Sequence, residues 1–224
     1  MFKNGVDQGY KEHQDWWSRE GDPDRYRYAD LDIDYPMEYF PLADPGNAKE
    51  FADTVMSYYS LIMGDQLRTL VEFGSAGGWY LKAFMRRNVH VRGYEGSAFG
   101  VATCLSNGIP GSCVDVKDFR YPMPHYEKKY QLAICTEVAE HVEPSFHGVL
   151  VHNLIQHSSL IWFSSEAPNT NRAHLHHPGE QPLEYWQALF NFFDFGCYML
   201  PDDVFRATNE RGRCLFFNRK HIKL

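Results

Sequence analysis

The sequence contains no C-x-x-C pair, and its cysteines (Cys104, Cys113, Cys135, Cys197, Cys214) number five, an odd count that argues against a disulfide framework. No apolar run approaches the roughly 18 to 20 residues of a membrane span. Internal repeats and low-complexity tracts are missing. Positive charge is scarce, since 22 Lys plus Arg against 29 Asp plus Glu leave a net −7. That balance disfavours nucleic acid as a partner, although a local basic patch stays open. The opening MFKNGVDQGYKEHQDWW lacks the apolar core of a signal peptide. The expectation is a soluble, cytoplasmic protein of a reducing compartment with no membrane association. Its oligomeric state is left open.

What is present is enough to build a core. Apolar residues make up 44% of 224 positions, which fits one α/β domain with an appended segment. Residues 1–50 hold twelve acidic and six basic side chains. Tyr10, Trp16, Trp17, Tyr26, Tyr28, Tyr35, Tyr39 and Phe40 are scattered among them without a lasting period. Large rings want burial. Residues 1–46 therefore read as an ordered, aromatic-rich arm that either covers core surface or forms part of a substrate lid. Residues 47–224 read as the main domain.

From Asn47 the pattern becomes regular. Asn47 and Glu50 have the spacing of a capping box, and Phe51, Val55, Tyr58, Tyr59, Ile62 and Met63 follow at helical spacing up to Gly64. Strand and helix signals then alternate. Strands are expected at 69–73, 90–94, 112–116, 131–136 and 160–163, with helices at 79–87, 97–107, 144–157 and 182–193. The segments around 198–200 and 214–217 can close the sheet. This alternation predicts a Rossmann-like, seven-stranded, mostly parallel sheet with helices on both faces.

The central signal is Val71-Glu72-Phe73-Gly74-Ser75-Ala76-Gly77-Gly78-Trp79-Tyr80, where the first strand hands over to a helix. Small residues there let the backbone approach a ligand beyond the carboxyl ends of the strands. The dinucleotide spacing G-x-G-x-x-G fails. The stretch resembles instead the first motif of class I S-adenosylmethionine-dependent methyltransferases, an acidic residue followed by x-G-x-G-x-G. Glu72, Gly74, Ala76 and Gly78 occupy those positions, with Ala76 replacing the middle glycine. Glu95, at the end of the second strand, is placed for ribose hydroxyls. By the same resemblance Asp115 would accept from an adenine amino group, with Val116 beside it. Ser75, Gly96, Ser97 and Thr136 complete the expected cofactor contacts.

Two later stretches sharpen the resemblance. Glu137-Val138-Ala139-Glu140-His141 follows the fourth strand, and His177-Pro178-Gly179-Glu180-Gln181-Pro182-Leu183-Glu184-Tyr185-Trp186 follows the fifth. Together the E-V-x-E-H and H-x-x-E-Q-x-x-x-Y-W elements are similar to one branch of that superfamily, whose members are assigned to sugars and other small molecules. The resemblance implies O-methylation of a small polar acceptor, a sugar or related metabolite. His141 or His177 would serve as base and Glu137 or Glu140 would orient the imidazole. The same four residues make a mixed carboxylate and imidazole set for a divalent ion, similar to methyltransferases of the terminal ribose of small RNAs, although a metal is not the favoured expectation. The alternatives are metal-dependent ribose 2′-O-methylation at an RNA end, which the −7 charge disfavours, and a catalytically inactive binding module that uses the arm as its interface. Trp79 and Tyr80 line either the cofactor or the core. Phe190, Phe192, Phe193 and Phe195 read as core. Arg211, Arg213, Arg219, Lys220 and Lys223 form either a phosphate contact or a solvated face.

Overall fold

In the computed structural model, residues 46–124, 129–168, 177–208 and 213–222 are described. All but the last residue of the aromatic arm, His174, His176, Arg211 and Lys223 lie outside them. The elements run α1 (Ala48–Met63), β1 (Thr69–Phe73), α2 (Trp79–Met85), β2 (His90–Glu95), α3 (Ala98–Ser106), β3 (Val114–Val116), β4 (Leu132–Thr136), α4 (His147–His157), β5 (Leu160–Ser164), α5 (Leu183–Phe192), β6 (Phe195–Met199), α6 (Asp202–Ala207) and β7 (Cys214–Asn218).

Alternation of side chains along these strands sets the layers. Leu70, Leu132, Ile134, Leu160, Trp162 and Leu215 bury into one face, against α1, α2 and α3. Val71, Phe73, Ala133, Cys135, Ile161, Phe163 and Phe216 bury into the other, against α4 and α5. A period of two can feed two cores only when both faces of the sheet are covered, which is why these strands read as nearly continuous apolar runs. Among the described residues the sheet has seven strands in the order β3-β2-β1-β4-β5-β7-β6. Among these strands β7 runs opposite to the other six. The expected Rossmann-like sheet is therefore present. None of the described helices is long and apolar enough to cross a membrane.

Several local expectations shift. Asn47 precedes α1, but its side chain makes no cap hydrogen bond, so the capping box is not formed. The third strand is shortened because Gly111–Cys113 forms a 3-10 turn before Val114. The helix expected over 144–157 opens with a separate 3-10 turn, Pro144–Phe146. Phe192 is 80% exposed, while Phe190 stacks on Phe216 at 3.8 Å between centroids. Tyr80 joins the core by stacking on Phe51 at 4.1 Å. Lys220 pairs with Asp194, and the Arg213 guanidinium lies over the Phe205 ring, so these two do not gather around one ligand.

Candidate active site

Register places the carboxyl ends of the parallel strands in one row, with Phe73 opposite Tyr94 and Cys135, Glu95 opposite Val116, and Thr136 opposite Ser164. The turn after β1 folds back on β2, since the amides of Gly74 and Ser75 both donate to the Tyr94 carbonyl, at 2.8 and 3.2 Å. Gly74 adopts φ +80, and a Cβ there would meet Val138 Cγ2 at 2.2 Å. A side chain is thus excluded by backbone conformation and by space together. Ala76 also has positive φ, 46, so the methyl that replaces the middle glycine sits in the left-handed region.

Glu95 ties two turns together. Its Oε2 accepts from the Ala76 amide at 2.7 Å, and its Oε1 accepts from the Ser97 amide at 3.0 Å. Burial pushes its carboxyl pKa up, while the backbone donors pull the other way. Ser97 caps α3 by accepting from the Phe99 amide. Glu72 is buried, 3% exposed, Ser75, Gly96 and Val116 are buried along the same rim, and Thr136 is buried at the end of β4.

Asp115 does not end its strand. It lies opposite Tyr94, one position before the end of β3 at Val116, and its carboxylate is captured by Arg92, two residues before Tyr94 on the neighbouring strand. The acid beyond the end of β3 is Asp118, which is 3% exposed and held by the Arg120 guanidinium. Arg120 also approaches Glu143 at 3.5 Å. Asp118 follows the end of β3 at Val116 by only two residues, so its spacing was visible.

The second rim is made of titratable side chains. Glu137, at φ 56, is tied across to β5, where Ser164 Oγ donates to its Oε1 at 2.8 Å. Glu140 is 1% exposed, and burial together with the negative charge of Glu137 pushes its pKa up to about 8. His141 and His177 lie edge to face with centroids 4.6 Å apart. Of the four residues expected as a donor set, Glu140, His141 and His177 bring ligand atoms within 4.8 Å of one another. Glu137 falls outside that trio.

Packing explains how a residue after β5 reaches a turn after β4. Gly179 donates its amide to the Glu140 carbonyl at 2.9 Å. A Cβ on Gly179 would meet the Val142 carbonyl oxygen at 1.9 Å. Beneath it, fully buried His147 hydrogen-bonds the Val142 carbonyl through Nε2 at 2.8 Å and Tyr185 Oη through Nδ1 at 3.1 Å. Trp186 packs on the His147 ring at 4.4 Å. The Tyr-Trp pair of the sequence element thus anchors the loop. The carboxylate that orients His177 is Glu180, with Nδ1 to Oε1 at 3.1 Å, and it was missed although the i,i+3 spacing lay within the quoted element.

Comparison with solved structures places the fold. The chain is similar to the plantazolicin methyltransferase BpumL, in complex with a pentazolic desmethylPZN analog and SAH (TM-score 0.60, 14% identity, covering 95% of this chain and 99% of that one). It is similar to SAM-bound CalS10, an amino pentose methyltransferase from Micromonospora echinaspora involved in calicheamicin biosynthesis (TM-score 0.62, 13% identity, 81% and 94%). It is also similar to the sugar N-methyltransferase KedS8 from Streptoalloteichus sp ATCC 53650 (TM-score 0.61, 12% identity, 82% and 93%). No family model and no curated protein matches the sequence. At these identities the likeness establishes the fold that these proteins share.

Proposed function

We propose that the chain is an S-adenosylmethionine-dependent methyltransferase that methylates a hydroxyl of a small polar acceptor, a sugar or related metabolite. The observation that carries this reading is the meeting of two rims on one sheet edge. A glycine turn is bonded to a buried carboxylate on one side, and an oriented imidazole stands on the other. The residues fit the cofactor. Gly74 gives the turn its left-handed bend, Glu95 holds a carboxylate between two turns, and Glu72 and Asp118 are buried acids on β1 and just beyond β3. Bound there, the cofactor supplies an activated methyl group, and the protein supplies alignment and a base.

On the acceptor side, His177 Nδ1–H donates to Glu180, which leaves Nε2 to take the hydroxyl proton. Burial and the neighbouring Glu137 charge favour the protonated form of Glu140. Glu137 accepts a hydrogen bond from Ser164 across the strand ends. Calorimetry with S-adenosylhomocysteine, followed by methyl transfer to a panel of sugars bearing free hydroxyl or amino groups, tests the reading. Binding with transfer to hydroxyls is the expected result, and failure to bind sinks it.

A second reading is favoured by the convergence of Glu140, His141 and His177: a divalent cation held by mixed oxygen and nitrogen donors. A cation would displace the proton from Glu140. Metal analysis of protein purified without added metal, and transfer assayed in chelator, decide between a metal centre and a proton-transfer centre. Full activity in chelator with no bound ion ends the metal reading.

A further inference from the structure

The chain between β3 and β4 forms neither helix nor strand over 117–124, yet it is buried at Asp118, Phe119 and Met123. Buried irregular backbone needs hydrogen-bond partners from outside its own elements. Here one side chain provides three. Asn153, on α4 and 1% exposed, accepts through Oδ1 from the Met123 amide at 2.8 Å. Its Nδ2 donates to the Tyr121 carbonyl at 2.9 Å and to the Phe119 carbonyl at 3.3 Å. A primary amide has one acceptor and two donor hydrogens, and every bond it makes goes to this one segment.

What the segment carries gives the clamp its meaning. Asp118 is the acid beyond the end of β3. The Phe119 ring packs 5.3 Å from Phe73, the residue immediately before Gly74. One turn further along α4, the His157 ring packs edge to face on Phe73 and Tyr94 at 5.3 and 5.4 Å. The same face of α4 therefore supports both the glycine turn and the loop beside it.

We propose that Asn153 is a positioning residue for the nucleobase end of the cofactor site, holding Asp118 and Phe119 as the wall beside the glycine turn. The proposal rests on the reading of the site as one for S-adenosylmethionine. It acts without touching the ligand, because the amide fixes the backbone from which both wall residues project.

The test compares Asn153→Ala and Asn153→Asp with Val151→Ala, a core truncation on the same helix with no bond to the segment. Affinity for S-adenosylhomocysteine and for 5′-methylthioadenosine, which keeps the thioadenosine and lacks the amino-acid end, is measured by calorimetry at a temperature where all are folded. Both Asn153 variants should weaken both ligands by roughly tenfold, a factor worth about 1.4 kcal/mol. Val151→Ala should bind as the parent does. Unchanged affinity in the Asn153 variants, a loss matched by Val151→Ala, or a loss confined to S-adenosylhomocysteine overturns the proposal. Should the Asp variant fail to fold, Asn153→Ser, which keeps a donor and an acceptor on a shorter side chain, replaces it. If the parent protein binds neither ligand, the cofactor reading itself has failed, a result separate from any outcome among the variants.

Discussion

The rim over β1–β3 and the rim over β4–β5 are built by opposite means. On the first, backbone does the shaping. Gly74 has left-handed φ, its amide and that of Ser75 return to Tyr94, and both oxygens of Glu95 are occupied by main-chain donors. On the second, side chains face one another: Glu137 with Ser164, His141 with His177, His177 with Glu180. Main chain there serves docking, through the Gly179 amide on the Glu140 carbonyl. A backbone-built rim suits a ligand whose shape never changes. A side-chain rim suits a step in which a proton must move.

If that division is right, the two rims fail separately. His177→Gln removes the proposed base and should lower methyl transfer by about 10² to 10⁴ while leaving S-adenosylhomocysteine affinity alone. A parallel loss of cofactor affinity would erase the division. Gly179→Ala places a Cβ against the Val142 carbonyl and should lift the His177 loop away from His141. Displacement by about 1 Å costs roughly 10² in rate, again with cofactor binding retained. Gly74→Ala should do the reverse. The left-handed backbone adds about 1 to 2 kcal/mol of strain, and Val138 stands in the way of the new methyl. S-adenosylhomocysteine affinity should fall by about tenfold or more, as calorimetry would show.

The same division explains what was legible in the sequence. Elements and layers were, because the apolar runs of β1, β4 and β5 and the helical spacing in α1 and α5 are local signals. The glycine turn was legible for the same reason. What was lost depends on contacts distant in sequence. Asp115 is the acid that the resemblance assigned to adenine, but the pairing of β2 with β3 sets its carboxylate against Arg92. Asn153 and His147 carried no signal at all. Each is a polar residue inside an apolar helix pattern, and its meaning appears only once the loops it bonds are packed against it.

A pH experiment sharpens the acceptor side. Burial lowers the His147 pKa below its ordinary value, and its hydrogen bond to the Val142 carbonyl only partly opposes this. A histidine with a depressed folded pKa is neutral in the folded protein while the unfolded chain still binds a proton. Its stabilising contribution is therefore complete above the unfolded pKa, near 6.5, and falls away as pH drops through that value toward the folded one. Thermal melts between pH 5 and 7.5 should rise with pH, and His147→Gln should flatten that part of the slope. An unchanged slope would mean that protonation of His147 does not limit the docking of the loop.

The smallest effect separates the two acids near β3. The Arg92–Asp115 pair is partly exposed, with Asp115 at 41% of its side chain, and such pairs are worth about 0 to 1 kcal/mol. Asp115→Asn should therefore cost little stability and leave S-adenosylhomocysteine affinity unchanged. Asp118→Asn, at a carboxylate 1% exposed, should weaken that affinity by roughly tenfold, because it loosens Arg120 and the wall together. The opposite pattern would return the nucleobase contact to Asp115. Arg92 would then have to release its partner whenever cofactor binds, and the segment held by Asn153 would be a structural brace with no part in recognition.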